Sequence, residues 1–421
     1  MKSESGLFRA FKYRNYRLFF FGQGTSFLGT MMQNTAQAWL IYRLTGSAAM
    51  LGLAAFAAQF PAFLVSPISG VLSDRMDRRR IILIADIFKI LQAAALTVLA
   101  VTGLIRPWHV VALAAFLGVV NGIETTARHS MVPDIVDDRK DLANAIAVNS
   151  LLFNGGRVVG PAAAGFLVAY AGEGFCFGAN ALSYFALIYA LLAMVLKPAP
   201  QNTRKTHPVD DIKEGYKYFI TQPRLLNVVI LTAFANLTGA TVTVLMPVFA
   251  GNVLHGGPQS LGLLMGSIGA GAMAGALYLA SNKDPKKLGF VITAASAVFG
   301  MGLCLLAVMP GLVPAMFAAA VTGAGMMLQS SASNTFVQTE ADDRMRGRIM
   351  SFFVMAITGF GPIGNLLAGI AAKKFGVTPV LLAIGVFILV GAVLFGINIY
   401  GMRPKVKNHK PPEDGSAENG L

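Results

Sequence analysis

Long apolar runs, separated by short polar turns, occupy most of this chain. Each run is about twenty residues or longer, the length that a helix needs to cross the hydrocarbon core of a bilayer. Lipid offers no water to backbone groups, so only helices and closed barrels span it, and these runs are too continuously apolar for barrel strands. We therefore predict an all-α integral membrane protein. Its twelve predicted transmembrane helices cover residues 16–42, 47–73, 80–103, 107–127, 142–170, 174–196, 224–252, 259–281, 286–309, 312–338, 347–372 and 376–401.

The longest polar connection falls between the sixth and seventh predicted helices and divides the chain into halves. We predict an N-terminal segment, a six-helix bundle, a linker, a second six-helix bundle and a tail, at residues 1–15, 16–196, 197–223, 224–401 and 402–421. The halves resemble each other, because VDDRKDLANA at 136–145 is matched by ADDRMRGRIM at 341–350, and each stretch leads into a span. Paired six-helix halves are typical of transporters that rock around a site at mid-membrane.

The composition agrees with a lipid environment. Charged residues make up 13% of the 421 residues, whereas soluble domains carry about 25%. Cys176 and Cys304 each lie in an apolar run, where we expect small buried side chains rather than a disulfide or a metal site. The sequence has neither a GxxxxGK loop nor a Rossmann glycine pattern. We therefore expect no cofactor, and a gradient as the energy source.

The placement of Lys and Arg predicts the orientation of the helices. With the N-terminus in the cytoplasm, 28 of the 34 basic residues fall in cytoplasmic loops and tails and four fall in the opposite loops; Lys89 and Arg157 fall inside spans. This bias predicts a multi-pass protein of the cell (inner or plasma) membrane with both termini, and the linker, in the cytoplasm. The net charge of +14 is then a consequence of topology and does not indicate nucleic-acid binding.

Polar residues recur at helical spacing within four predicted helices, which places each set on one helix face. These stripes are Gln23, Ser26, Thr30, Gln33 and Gln37 with Asn34 beside them; Ser150, Asn154, Arg157 and Pro161; Thr232, Asn236, Gly239 and Thr243; and Thr322, Gln329, Ser333 and Asn334. We interpret them as the lining of a hydrated central cavity, with hydrogen bonding between helices as the alternative. The predicted substrate-cavity residues are Gln33, Asn34, Gln37, Asn154, Arg157, Asn236, Gln329 and Asn334.

Arg157 is the one charged residue among these candidates. It lies about 22 Å from the cytoplasmic end of its predicted helix, at 1.5 Å per residue, and no Asp or Glu is predicted at that depth. Three interpretations stay open: Arg157 bonds backbone carbonyls and Asn side chains, or it meets an anionic or polar substrate in the cavity, or it pairs with Glu124. Asp86 and Glu124, near the cytoplasmic ends of their spans, are the candidate proton carriers.

Three stretches of the sequence are similar to a known family. GVLSDRMDRRR at 70–80 resembles the Gly-x-Leu-x-Asp-Arg-x-Gly-Arg-Arg signature of the major facilitator superfamily, with Asp77 where the signature has glycine. GGRVVGPAAAG at 155–165 resembles the helix-5 pattern of the superfamily's antiporters. The opening stretch at 14–53 is similar to the branch that includes enterobactin exporters and macrolide-efflux proteins. The helix-5 motif residues are Gly156, Gly160, Pro161 and Gly165.

The resemblance, which covers about residues 8–400, implies a role for the first signature. By this resemblance Asp74 latches the second helix to the start of the eleventh, near 347–349, in the outward-facing state. The residues of this latch are Gly70, Asp74, Arg75, Arg78 and Arg79. The alternative is a loop that only fixes topology. The glycines and Pro161 of the helix-5 motif are expected to be either hinges or sites of tight packing.

The resemblance also implies a function. It points to the major facilitator fold of two pseudo-symmetric bundles, and to a secondary transporter that exports an amphipathic drug, siderophore or metabolite by alternating access, with proton antiport as a candidate mechanism. The alternative is a lysophospholipid or lipid flippase of the same fold. A membrane enzyme would need a mid-membrane cluster of His, Asp, Glu or Cys, and the sequence places none there. The expected partners are a small-molecule substrate, the bilayer and protons, and we expect a monomer.

Overall fold

The computed structural model describes residues 9–131, 135–136, 138–195, 214, 216–239, 241–281, 287–342 and 345–401. These residues form helices and short connections and include no β-strand, which confirms the all-α prediction. Long helices in the described ranges are α1 (Arg14–Thr45), α2 (Ala48–Arg75), α3 (Arg78–Val101), α4 (Pro107–Met131), α5 (Arg139–Ala171), α6 (Glu173–Ala193), α7 (Pro223–Val253), α8 (Pro258–Ser281), α9 (Leu288–Val308), α10 (Leu312–Glu340), α11 (Arg346–Phe375) and α12 (Val377–Gly401).

Eleven helices within the described ranges are long and apolar enough to cross a membrane. The twelfth, α1, has 32 residues and is also long enough to span, but its stripe of polar side chains makes it less apolar than the others. It packs lengthwise against α5 and α6. It therefore belongs to the same bundle as the neighbouring spans and completes the predicted set.

Polar residues in the turns define where two helices begin. The side chain of Asp77 accepts a hydrogen bond from the backbone N–H of Arg79 at 2.9 Å and caps α3. The side chain of Asp138 accepts one from the N–H of Lys140 at 3.0 Å and caps α5. Because an N-terminal cap satisfies an otherwise unpaired amide, both helices start earlier than the predicted spans at 80 and 142.

The helices pack as two six-helix bundles with the same internal arrangement. In the first bundle α1 packs against α5 and α6, α2 against α4, and α3 against α4 and α6. Adding six to each number gives the corresponding pairs of the second bundle. The bundles meet mainly through two crossings, α5 with α8 and α2 with α11, which the same rule exchanges. The exact domain boundaries stay a prediction, because most of the predicted linker at 197–223 lies outside the described residues.

The two ends of the bundles are distinguished by their contacts. At the terminal end, where α1 starts and α12 finishes, Asn15 donates a hydrogen bond to the carbonyl of Val195 just after α6, at 2.8 Å. At the opposite end, the far end, Tyr42 of α1 donates to Oδ1 of Asn252 in α7 at 2.6 Å. This far-end bond joins the two bundles directly.

Glycine brings the two bundles into backbone contact at the far end. A Cβ added to Gly165 of α5 would lie 2.6 Å from the carbonyl oxygen of Pro258, at the start of α8. A Cβ added to Gly52 of α2 would lie 2.5 Å from the carbonyl oxygen of Asn365 in α11. Neither space admits a larger side chain without movement of a helix. The gap between the bundles is therefore closed at this end.

Candidate functional site

A cavity of about 370 Å³ lies between the two bundles. Helices α1, α2, α4 and α5 of the first bundle and α7 and α8 of the second form its wall. Its polar groups are the side chains of Asn34, Thr35, Gln37, Gln59, Asn121 and Thr243. The rest of the wall is apolar and includes Met31, Leu117, Leu261 and Met265. A mostly apolar wall with a few amide and hydroxyl groups suits the binding of an amphipathic molecule.

The described residues that line this cavity include no charged side chain. Ile41 and Leu51 line the part of the cavity nearest the far end, next to the helix crossings at which the two bundles meet. Asn34 and Gln59 are exposed, although both lie within predicted spans. The cavity is therefore an uncharged, partly hydrated space that is blocked toward the far end.

Two of the predicted cavity residues line this space, and one on the same helix does not. Asn34 and Gln37 belong to the wall. Gln33 is buried inside the first bundle instead, where its Nε2 donates to Gln92 at 3.0 Å and its Oε1 accepts from Asn180 at 2.8 Å. Adjacent helical residues point about 100° apart, so Gln33 and Asn34 face different neighbours. The expectation that Gln33 lines the cavity is corrected to a hydrogen-bonding role between helices.

Four other predicted cavity residues bond within their own helices and lie outside this wall. The side-chain amide of Asn154 donates to the carbonyl of Ser150, and that of Asn236 donates to the carbonyl of Thr232. Gln329 and Asn334, both on α10, pair with Ser333 and Gln338, respectively, four residues further on. Polar spacing alone could not show this difference, because a local bond and a cavity lining produce the same stripe.

Four polar lining residues lie outside the predicted set of cavity residues: Thr35, Gln59, Asn121 and Thr243. Thr35 follows Asn34 on α1, and Thr243 belongs to the polar stripe of the seventh helix. Gln59 and Asn121 are isolated polar residues in otherwise apolar stretches of α2 and α4. An isolated amide in a membrane-spanning helix is costly unless it finds a partner or water, and that cost is the signal that could have identified them.

Arg157 lies on the face of α5 that turns toward the crevice between the bundles. Gly156 and Gly160 of α5 face α1, where an added Cβ would meet the side chains of Phe27 and Met31. Pro161, one turn beyond Arg157, lines the cavity. The Arg157 side chain is exposed, and the structure gives it no hydrogen bond or ion pair with a described residue.

The helix-5 motif produces close packing. Gly156 and Gly160 let α1 approach, and Gly165 lets α8 approach. Pro161 lies inside the helix and is one of the residues that line the cavity. The packing interpretation therefore accounts for all three glycines of the motif.

The two candidate proton carriers belong to a buried cluster, the α3/α4 ion cluster. Nζ of Lys89 lies 3.6 Å from Oδ1 of Asp86 and contacts Oε2 of Glu124. NH2 of Arg128 lies 3.6 Å from the same Asp86 oxygen and contacts Oε1 of Glu124. Two negative and two positive groups offset each other, which reduces the cost of burying them. Glu124 is thus occupied by Lys89 and Arg128 and is not the partner of Arg157.

The ion cluster continues into a set of polar side chains inside the first bundle. Nζ of Lys89 lies 5.6 Å from the centre of the Tyr184 ring, and the Tyr184 hydroxyl accepts a hydrogen bond from Asn180 at 3.4 Å. Asn180 bonds to Gln33, the neighbour of the cavity residue Asn34. The basic partners could have been read from the sequence, since Asp86 with Lys89 and Glu124 with Arg128 have i,i+3 and i,i+4 spacing.

The predicted latch is described only in part. Gly70, Asp74 and Arg75 belong to α2, but the side chains of Asp74 and Arg75 are outside the described part of the structure, so the contact of Asp74 with α11 stays a prediction. Arg78 lies at the first position of α3. Arg79 donates to the carbonyl oxygens of Leu192 at 2.9 Å and Met194 at 3.4 Å. This part of the loop is therefore tied to the end of α6.

A family model described as transmembrane secretion effector matches residues 5–411 of the chain. The staphyloferrin A transporter of Staphylococcus aureus (strain NCTC 8325 / PS 47) is 27% identical, over 91% of this chain and 96% of the relative. The multidrug efflux pump Tap of Mycolicibacterium fortuitum is also 27% identical, over 89% and 94%. The enterobactin exporter EntS of Citrobacter koseri (strain ATCC BAA-895 / CDC 4225-83 / SGSC4696) is 28% identical, over 92% and 88%.

The fold is also similar to that of a solved transporter. A crystal structure of a mutant of the nucleoside transporter NupG superposes with a TM-score of 0.72, over 90% of this chain and 98% of that one. The two sequences are 15% identical, so this likeness concerns the fold alone.

Proposed function

This chain belongs to the transmembrane secretion effector family of the major facilitator superfamily, and from that premise we propose that it exports amphipathic small molecules by alternating access. The same findings confirm the predicted family and the twelve-helix fold, and they agree with the predicted role in efflux. The observation that carries the proposal is the uncharged, amide-lined cavity of about 370 Å³ between two symmetric bundles.

Alternating access requires the two bundles to part at one end while they meet at the other. The glycine contacts of α5 with α8 and of α2 with α11 close the far end. These crossings, together with the Tyr42–Asn252 hydrogen bond, are the contacts that must break for release at the far end. The charge bias of the loops supports a cytoplasmic terminal end. In that orientation substrate enters from the cytoplasm and leaves on the opposite side of the inner membrane.

The substrate is a small molecule with an apolar body and several hydrogen-bonding groups. Amide side chains both donate and accept hydrogen bonds, so Asn34, Gln37, Gln59 and Asn121 can satisfy varied polar groups. Siderophore transporters and a drug pump are among the relatives, and both kinds of cargo fit this class. A lipid-flipping role is not favoured by these relatives.

Protons are the proposed counter-ions, and the α3/α4 ion cluster is their proposed site. Within this cluster both carboxylate oxygens of Asp86 are buried and accept no hydrogen bond, and its cationic neighbours are 3.6 Å away. Glu124 makes closer contacts with both cations. The negative charge of Asp86 is therefore less well stabilised by the two cations than that of Glu124. Asp86 is the proposed proton carrier.

The proposal is tested by a panel of amphipathic compounds in an efflux-deficient host that expresses the full chain. We expect lower accumulation of one or more compounds than in the empty host, and we expect Asn34→Ala to raise that accumulation again. Asn334→Ala is the matched control, because Asn334 bonds to Gln338 on α10 and does not line the cavity. If no compound is exported, the proposed substrate class is wrong. If both variants behave alike, the assignment of the cavity is wrong.

A further inference from the structure

We infer that Arg157 selects substrates that carry an anionic group, such as a carboxylate or a phenolate, and disfavours amphipathic cations. This inference rests on the proposed function, since it names the substrate class of the same cavity. The apolar and the anionic part of the substrate bind in different places. The apolar body occupies the uncharged cavity, and the anionic group lies one helical turn toward the terminal end, at the guanidinium of Arg157.

The position of Arg157 on α5 directs its side chain toward the crevice between the bundles. Gly156 and Gly160 lie on one face of α5 and pack against α1. Ala162 and Gly165 lie on another face and pack against α8. The stripe of Arg157 and Pro161 lies between these two contact faces. Pro161 lines the cavity, and four helical residues span about 6 Å. The Arg157 side chain therefore faces the crevice about 6 Å from Pro161, on the side of the cavity nearer the terminal end.

The described charges around the crevice do not balance the positive charge of Arg157. The carboxylates of Asp86 and Glu124, the membrane-depth acids of the first bundle, are engaged by Lys89 and Arg128 inside that bundle. The described cavity wall carries no acid. Arg157 has no ion-pair partner among described residues, so its positive charge acts on whatever enters the crevice. Such a charge attracts an anion and repels a cation.

Arg157 also lies at a helix crossing that must move during alternating access. A Cβ added to Gly269 of α8 would lie 2.6 Å from the carbonyl oxygen of Arg157, so the second bundle touches the backbone at this residue. An anion held by the guanidinium is therefore placed at the seam between the bundles. Binding at Arg157 and the relative motion of α5 and α8 are then linked.

The test uses three dansyl-labelled alkyl probes with one common body and a terminal carboxylate, methyl ester or trimethylammonium group. Uptake is measured in inverted membrane vesicles that contain the full chain. For the wild type we expect transport of the carboxylate probe to exceed that of the trimethylammonium probe by about tenfold or more, a ratio that corresponds to about 1.4 kcal/mol. Arg157→Lys should keep the preference, Arg157→Gln should reduce the ratio to near one, and Arg157→Glu should reverse it.

The methyl ester probe separates charge selection from loss of the protein. For every variant the rate of each charged probe is divided by the methyl ester rate of the same preparation, and the amount of folded protein is measured by size-exclusion chromatography. If Arg157→Gln does not fold, Asn154→Asp provides the test, because a carboxylate three residues away on the same face would neutralise Arg157 and lower the ratio. Equal transport of the charged probes by the wild type, or an unchanged ratio in Arg157→Gln or Asn154→Asp, would overturn the inference and leave the export function standing. If the wild type transports none of the three probes, the proposed substrate class fails, and with it this inference.

Discussion

Gly165 of α5 and Gly262 of α8 meet backbone to backbone: a Cβ added to Gly262 would lie 2.8 Å from the Cα of Gly165. The pair Gly52 and Gly369 has the same relationship in the crossing of α2 with α11, where a Cβ on Gly369 would lie 3.0 Å from the Cα of Gly52. The two pairs are exchanged by the internal symmetry of the fold. Together they form a seal at the far end that depends on the absence of side chains.

Gly165→Leu should break this seal. The added side chain would meet the carbonyl of Pro258, and overpacking of this kind costs about 1–3 kcal/mol. We expect folded protein that favours the far-end-open state and loses most of its transport. Gly155→Leu on the same helix is the matched control, because an added Cβ there meets no atom within 4 Å. Normal transport by Gly165→Leu would show that the crossing does not have to be this tight.

Tyr42→Phe should weaken the far-end closure more gently. It removes the 2.6 Å hydrogen bond to Asn252 and leaves the ring against Gly251. A hydrogen bond contributes a net 0.5–1.5 kcal/mol or so, so the open population should rise by up to about tenfold. The measurement is the rate at which a far-side thiol reagent labels Ile41→Cys, a buried cavity residue, in a background without the two native cysteines.

The control for this measurement is Tyr170→Phe. Tyr170 is 96% exposed and has no hydrogen bond among the described residues, so the same loss of a hydroxyl should leave the labelling rate unchanged. Equal labelling rates in Tyr42→Phe and the parent protein would mean that the hydrogen bond does not contribute to closure.

The sequence was sufficient for the fold because lipid imposes a simple rule. Apolar runs long enough to span must be helices, and the repeat of Asp-Asp-Arg revealed the two halves. The site was harder to predict, because a polar stripe has two physical explanations. In α1 the stripe divides: Gln33 bonds to α3 and α6, and Gln37 lines the cavity. Only the packing partners distinguish the two, and they come from residues far away in the chain.

The α3/α4 ion cluster is a second case in which the sequence identifies residues of a site but not all of their partners. The sequence identifies Asp86 and Glu124 as titratable groups, and it places Lys89 within a predicted span and Arg128 in a predicted loop. Their pairing across α3 and α4 depends on how deeply each helix is inserted and how it is rotated, which the spacing of residues along one helix does not determine. The contact predicted for Asp74 is a comparable case, because it joins residues that are far apart in sequence.

Glu124→Gln should destabilise the first bundle. It leaves Lys89 and Arg128 with one carboxylate between them, and breaking a buried pair costs about 3–5 kcal/mol. The double variant Glu124→Gln with Lys89→Met restores the balance of charge and should recover at least half of that loss. Thermal unfolding of the detergent-purified protein measures both effects. Glu340→Gln, in the partly exposed pair with Arg224, is the control and should cost about 0–1 kcal/mol. A double variant no more stable than Glu124→Gln would argue against charge balance as the cause.

Asp86→Asn should separate transport from its driving force. If Asp86 carries the proton, its replacement by a neutral amide removes the exchangeable proton while keeping the shape of the side chain. We expect proteoliposomes with this variant to equilibrate a substrate down its gradient but not to accumulate it when a pH gradient is imposed, whereas the wild type does both. Asp138→Asn is the matched control, since it makes the same change at the exposed cap of α5 and asparagine caps a helix as well as aspartate does. Accumulation by Asp86→Asn would assign the proton to another group, and wild-type accumulation that persists after the pH gradient is collapsed would remove proton coupling altogether.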